Sequence, residues 1–261
     1  MEGKKIKEKK NKNQIKQKLK IEEDEKEIET KTKIINLDED IENGNKSESK
    51  NINKLFNNKA DFFFSDKKFS EMKLTKTTVD CLKNQGFITS TEVQEKVIPI
   101  AKKGKDIMCT AKTGSGKTLA FLIPAMEMLI RTDFQQSQGV GIIIITPTRE
   151  LALQIYDVAK ELLFLAHKKC GVIIGGGYRK KEAKKLIRGV NLLIATPGRL
   201  LDHLNNTEGF KYNNLCMLII DEADAILKNG FEEELIQILK YYLKKDKQCF
   251  FQLLYPKKLK I

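Results

Sequence analysis

The sequence is poor in the residues that build metal sites and covalent staples. It holds two histidines, His167 and His203, and five cysteines, Cys81, Cys109, Cys170, Cys216 and Cys249. Neither histidine has a Cys or His neighbour at ligand spacing, which argues against a zinc site. No two cysteines form a C-x-x-C pair, and most lie in apolar runs. They read as buried free thiols of a reducing compartment, not as a disulfide framework. The first residues contain no apolar h-region, so no secretory signal is expected. The most apolar stretches are too short to span a bilayer, or carry Pro124 and Glu127. A soluble, intracellular protein with no membrane partner is expected.

Residues 1–60 lack proline and almost lack aromatics. A segment of Lys, Glu and Asn with thinly spread Ile and Leu cannot bury enough apolar surface to offset its ordering entropy. A disordered tail is expected there. Its charges are segregated, basic from Lys4 to Lys20 and acidic from Ile21 to Glu29. The basic block reads as a nuclear-import signal, as a loose RNA-binding arm, or as low complexity with no task. No heptad persists, which excludes a coiled coil. The whole chain carries a formal charge of +13 with a pI of about 9.3. That balance favours an anionic partner such as nucleic acid, although a solvated basic tail accounts for it too. The 261 residues suffice for one sizeable α/β domain, or a smaller one with a tail.

Beyond the tail, helix and strand patterns alternate. A helical pattern runs from Phe69, with Met72, Leu74, Val79 and Leu82 apolar, to a C-cap near Gly86. A second helix is expected over Glu92 to Ala101, capped by Ser90 or Thr91. Short apolar runs at Asp106–Thr110, Gly141–Thr146, Gly171–Gly177, Asn191–Thr196, Leu215–Asp224 and Gln248–Leu254 read as strands. Amphipathic runs between them read as helices: Leu119–Ile130, Arg149–Ala166, Lys180–Arg188, the segment opened by Pro197, and Phe231–Leu243. The alternation predicts an α/β fold, a parallel sheet with helices on both faces. Ligands of such sheets gather at the carboxyl ends of the strands.

At the first of those ends stands Ala111-Lys112-Thr113-Gly114-Ser115-Gly116-Lys117-Thr118. Gly114 and Gly116 let the backbone curl and aim N–H groups at an anion. The helix beginning near Lys117 adds its positive dipole end. Lys117 supplies a point charge for β- and γ-phosphates, and the Thr118 hydroxyl can hold Mg²⁺. Ala111 stands where the general phosphate-loop pattern has Gly. At the end of the Leu215 strand, Asp221 and Glu222 would be costly unless they met a cation. Magnesium on ATP phosphates would be that cation, with Asp221 its partner. Glu222 can position or deprotonate the attacking water. Arg149 and Arg199 follow strand ends beside prolines. Backbone N–H groups at Gly176, Gly177 and after Pro197 can hold phosphates without reading sequence. A surface salt bridge is the alternative for Arg199.

Together these blocks resemble the first RecA-like lobe of the DEAD-box RNA helicases. Asp221-Glu222-Ala223-Asp224 is the tetrapeptide that names the family. Pro147-Thr148-Arg149-Glu150-Leu151-Ala152, the glycine turn and Thr196-Pro197-Gly198-Arg199 follow the family order. Ala111 is usual in such helicases. Gly86 to Gln94 resembles the adenine-reading Q motif, with Ser90 where many members carry Pro. By that resemblance Gln94 bonds the adenine edge and Phe69 packs near the base. The resemblance implies a tail (1–60), a Q-motif region (67–95), a RecA-like ATP-binding lobe (96–255) and an aberrant end (256–261).

It also implies an ATP-dependent RNA helicase that couples ATP hydrolysis to RNA binding and duplex unwinding. ATP and Mg²⁺ are the implied cofactors, and RNA, held by its backbone, the implied partner. The segment from Ala195 to Phe210, with Phe231 to Ile238, is closest to the nucleolar branch. This implies a place in rRNA processing among pre-ribosomal proteins, in the nucleus and nucleolus. After Phe251 the family's Ser-Ala-Thr block is replaced by Gln-Leu-Leu. The resemblance therefore implies a truncated form without the second lobe, whose arginines neutralise the γ-phosphate. A single-lobe module that binds ATP or RNA without catalysis is the competing expectation.

Overall fold

The computed structural model describes residues 64–112, 114–243 and 250–255. The tail expected at 1–60 and the segment 256–261 lie outside the described residues. A two-stranded antiparallel ribbon opens the described chain, pairing β1 (Phe64–Lys68) with β2 (Thr89–Thr91). Between them stand a 3-10 turn, Phe69–Glu71, and helix α1 (Lys76–Asn84). This corrects the single helix expected from Phe69 to Gly86. Lys73 adopts a left-handed φ of 54°, which stops helical propagation. Thr75 then restarts the helix, its hydroxyl accepting the Thr78 N–H.

Helix α2 (Glu92–Ala101) begins at its Thr91 cap. Ser90, the other candidate, donates to the Lys67 carbonyl instead. The remaining chain alternates: β3 (Ile107–Thr110), α3 (Lys117–Arg131), β4 (Ile142–Ile145), α4 (Arg149–Leu165), β5 (Cys170–Ile173) and α5 (Arg179–Arg188). Next come β6 (Leu192–Ala195), α6 (Pro197–Asn206), β7 (Met217–Ile220), α7 (Ala223–Lys228), α8 (Glu232–Leu243) and β8 (Phe250–Tyr255). Strands β3 to β8 form one parallel sheet in the order β3-β8-β7-β4-β6-β5.

Strands buried on both faces need apolar residues at every position, and β4, β6 and β7 have them. Their side chains divide by parity. Ile142 and Ile144 of β4, Ile194 and Ile219 face one core, with Leu82, Ile98, Phe121 and Leu162 of α1–α4. Ile143 and Ile145, Leu193 and Leu218 face the other, with Leu186, Leu200, Ile226 and Ile238 of α5–α8. Phe69 and Met72 belong to the first core, so this segment packs with the helices that cover the sheet. Glu127 is an acid inside that core, 1% exposed. It accepts from the Thr75 N–H at 2.7 Å and hydroxyl at 2.6 Å, and from Arg131 Nε at 3.0 Å. Cys81, Cys109, Cys170 and Cys216 are free thiols; burial pushes the first three up from the usual thiol value, Cys170 furthest. Cys249 lies outside the described residues. No described helix is long and apolar enough to cross a membrane.

Candidate nucleotide site and nucleic-acid groove

All six strands run the same way, so their carboxyl ends share one edge of the sheet. Strands β3, β8 and β7 are consecutive. The loop after β3 and the acids after β7 are therefore one strand apart, about 10 Å. Asp221 is 5% exposed. Burial pushes its carboxyl up to about 6, the neighbouring Lys117 ammonium pulls it down, and Glu222 pushes it further up. Burial outweighs the one cation at hand, so this acid is poised for a further positive charge. The Glu222 N–H donates to Asp221 Oδ1 at 3.1 Å. Glu222 itself sits at φ 49°, ψ 48°, a left-handed conformation uncommon outside glycine. The chain enters α7 through that turn, with Glu222 as the residue before its first turn.

The phosphate loop rests on the start of α2. Gly114 and Gly116 take φ values of 79° and 85°. Gly114 faces open space, whereas a Cβ on Gly116 would lie 2.5 Å from Gln94 Nε2. Gln94 Nε2 donates to the Gly116 carbonyl at 3.0 Å, and the Thr91 hydroxyl donates to the Ser115 carbonyl at 2.9 Å. Gln94 Oε1 accepts the Thr91 N–H at 2.8 Å, completing a capping box. Lys117 and Thr118 open α3, while Ala111 and Lys112 link β3 to the loop. Thr113 lies outside the described residues. Ser115 Oγ, Thr146 Oγ1 and Asp224 Oδ1 are among the buried side-chain oxygens with no hydrogen-bond partner among the described residues. Ser115 is in the loop. Thr146 follows Ile145, which pairs with Ile220, so it lies beside Asp221. Orphaned polar atoms of this kind cost about 1–3 kcal/mol each unless a polar ligand meets them. The donor set, two glycines in a curled loop, a lysine, a threonine and a buried acid, fits a magnesium-bearing triphosphate.

Two residues assigned to the base lie deeper than the motif indicates. Gln94 is 3% exposed, with both ends of its amide engaged as above. Phe69 is 2% exposed and packs in the core.

The loops after β4, β6 and β5 occupy the other half of the edge. They enclose a cavity of about 640 Å³. Pro147, Thr148, Arg149 and Glu150 line it from one side, and Thr196, Gly198 and Arg199 from another. The structure thus brings together most of the residues assigned to RNA. Pro197 is buried as the first residue of α6. Arg149 lies over the glycine turn, and a Cβ on Gly176 would come 2.6 Å from its Nη1. Arg199 serves both readings offered by the sequence. It lines the cavity, yet it also donates to the carbonyls of Ile174 and Gly177 at 3.0 and 2.6 Å. Its guanidinium further meets Glu182 at 3.0 Å and Asp202 at 3.7 Å.

Beneath this turn lies a polar network absent from the motif reading. Glu182 Oε1 accepts the Ile174 N–H at 3.2 Å, and its Oε2 bonds His203 Nε2 at 3.0 Å. His203, fully buried, bonds Thr207 through Nδ1 at 2.8 Å. Gly175, Asp202 and Phe231 also line the groove. Asp202 was findable, being three residues from Arg199 on one helix face. Phe231 was not, because only the α7–α8 turn carries it there.

Residues 91–252 match the DEAD/DEAH box helicase family. The chain belongs to that family. The ATP-dependent RNA helicase HAS1 of Saccharomyces cerevisiae is 56% identical over 181 residues, which are 69% of this chain and 36% of the yeast protein. Its namesake in Schizosaccharomyces pombe is 55% identical over 69% of this chain and 31% of its own. The chain therefore spans about a third of the length of these curated relatives. The crystal structure of a DEAD box protein from the hyperthermophile Methanococcus jannaschii superposes with a TM-score of 0.65 at 33% identity. It covers 74% of this chain and 50% of that one.

Proposed function

We propose that this lobe binds ATP with Mg²⁺ at the β3–β7 half of the sheet edge and the RNA backbone at the β4–β5 half. In this reading it serves an ATP-dependent RNA helicase of ribosome assembly, working in the nucleolus among pre-ribosomal proteins. The observation that carries it is the adjacency of Lys117 and buried Asp221, with the arginine-lined groove on the same edge. Thr118 and Asp221 would hold the metal, which when bound offsets phosphate charge. Lys117 and the loop N–H groups hold the β- and γ-phosphates. Glu222, next to Asp221 at the entry to α7, orients or deprotonates water. Gln94 retains one N–H and one lone pair for the adenine edge, and Phe69 supports the base pocket from below. In the groove, Arg149, Gly176 and the α6 start meet phosphates irrespective of sequence.

Binding of a fluorescent ATP analogue to the purified chain tests the first half. Lys117→Ala is expected to abolish magnesium-dependent binding, and unchanged affinity would refute the site. RNA affinity is expected to fall steeply with salt. A tenfold preference for one RNA sequence at fixed salt would refute backbone-only recognition. The names of the relatives, all HAS1, support the ribosome-assembly context.

A further inference from the structure

Helix α5 reads Arg-Lys-Lys-Glu-Ala-Lys-Lys-Leu-Ile-Arg, six cations to one acid. The acid, Glu182, is buried and turned inward to Ile174 and His203. Arg179 is paired with Asp202 at 2.8 Å. Lys180, Lys181, Lys184 and Arg188 are all exposed. At about 100° per residue they fall within an arc of about 100°, a single stripe about 12 Å long. Among the described residues, none of the four has an ion-pairing carboxylate.

This stripe opposes helix stability. Lys180 and Lys181 stand in the first turn, where the helix dipole favours acids. Lys180, Lys184 and Arg188 repeat at i, i+4, i+8, where like charges repel. Lobe packing needs only the opposite face, through Glu182 and Leu186. The stripe also begins at the groove. Gly175 lines the cavity, and the Gly177 carbonyl accepts from the groove's Arg199. The next residue, Tyr178, is 52% exposed, with Lys181 Nζ 5.7 Å from its ring centroid. An exposed ring beside aligned cations suits single-stranded nucleic acid, which offers bases to stack and phosphates to pair.

We propose that Tyr178 and the exposed stripe of α5 form a second RNA-contact surface, which takes the single strand as it leaves the groove past the glycine turn. It rests on the reading of the groove as an RNA site. The surface lengthens the footprint and adds phosphate contacts without adding sequence preference.

The test uses the full chain with magnesium and a non-hydrolysable ATP analogue. Two oligouridylates are compared, of about six and about twenty nucleotides, the shorter matched to the groove alone. The variant K180A/K181A/K184A/R188A keeps good helix formers, and its melting temperature is measured alongside. We expect its affinity for the longer RNA to fall at least tenfold. The slope of log affinity against log salt should drop by about 2–3, at about 0.7 per phosphate. Affinity for the shorter RNA should stay within about twofold, and Tyr178→Ala should weaken only the longer RNA.

Unchanged affinity and slope for the longer RNA in a folded variant would overturn the proposal and leave the groove standing. Equal loss for both RNAs would also overturn it, since the stripe would then be part of the groove. Failure of the unaltered chain to bind either RNA would overturn the groove reading and this proposal together. Polyglutamate that binds the chain as tightly as RNA, and loses that binding in the variant, would replace RNA with an acidic protein partner.

Discussion

The side-chain amide of Gln94 donates to the backbone carbonyl of Gly116 at 3.0 Å, joining the cap of α2 to the phosphate loop. The same amide receives the Thr91 N–H, so one buried side chain holds both a helix start and the loop. Gln94→Ala leaves the Thr91 N–H and the Gly116 carbonyl without partners. A loss of about 1–3 kcal/mol is expected in urea denaturation. At least a tenfold loss in affinity for a fluorescent ADP analogue should accompany it.

Gly116→Ala should damage the loop from the other side. Its Cβ would overlap Gln94 Nε2, and φ 85° is strained for any L side chain. Gly114→Ala meets no neighbour and bears only the backbone strain of φ 79°. Nucleotide titrations should therefore show the greater loss at Gly116. The reverse ranking would mean that ligand access at Gly114 outweighs packing at Gly116.

Asp221→Asn should move stability and binding in opposite directions. Burial holds this carboxyl at about 6, so the folded state binds its proton more tightly than the unfolded state. Stability therefore falls as pH rises from about 4 to about 6 and stays reduced above. Removing the charge should raise nucleotide-free stability at neutral pH by up to about 2–3 kcal/mol, with the gain fading toward pH 4. Magnesium-dependent nucleotide binding should be lost in the same protein. Denaturant curves across pH, with and without magnesium and nucleotide, check both signs.

Glu127 should show the opposite pH behaviour. Burial alone would raise its pKa, but the Thr75 and Thr78 donors and Arg131 outweigh it and hold the carboxyl below its usual range. Its contribution is present above about pH 4 and is lost as pH falls through the lowered folded value. Glu127→Gln should cost about 1–2 kcal/mol at pH 7, through the weakened Arg131 and Thr75 bonds. The difference from the unaltered chain should shrink in acid denaturation below about pH 4.

Glu182→Ala should act on RNA without touching it. The change leaves the Ile174 N–H and His203 Nε2 without partners and takes from Arg199 the nearer of its two carboxylates. A stability loss of about 3–5 kcal/mol is expected, as for breaking a buried ion pair. RNA affinity should fall with the glycine turn disordered, while magnesium–nucleotide affinity changes little. Equal loss of both ligands would show that the two halves of the edge are not separable.

Much of the scaffold was legible because the signals are local. Four isoleucines in a row, Ile142 to Ile145, specify a strand buried on both faces. Thr91 with Gln94 three residues on specifies a helix start. Lys73 hid a break, since a lysine gives no warning of a left-handed backbone. The ribbon of β1 and β2 was missed because each strand is short and its partner is some twenty residues away.

The order of motifs along the chain determined the family resemblance, and hydrophobic periodicity determined the alternating elements. Both follow from rules that act within a few residues. Only the tertiary structure decided which motifs meet. The strand order sets the loop after β3 beside the acids after β7, and the arginine turns beside the glycine turn. It also buried Asp221 near Lys117, gathered Glu182, His203 and Arg199 under one turn, and left Lys180, Lys181, Lys184 and Arg188 of α5 exposed. Those outcomes depend on contacts between segments far apart in the chain, where burial and charge are set by neighbours that local pattern does not name.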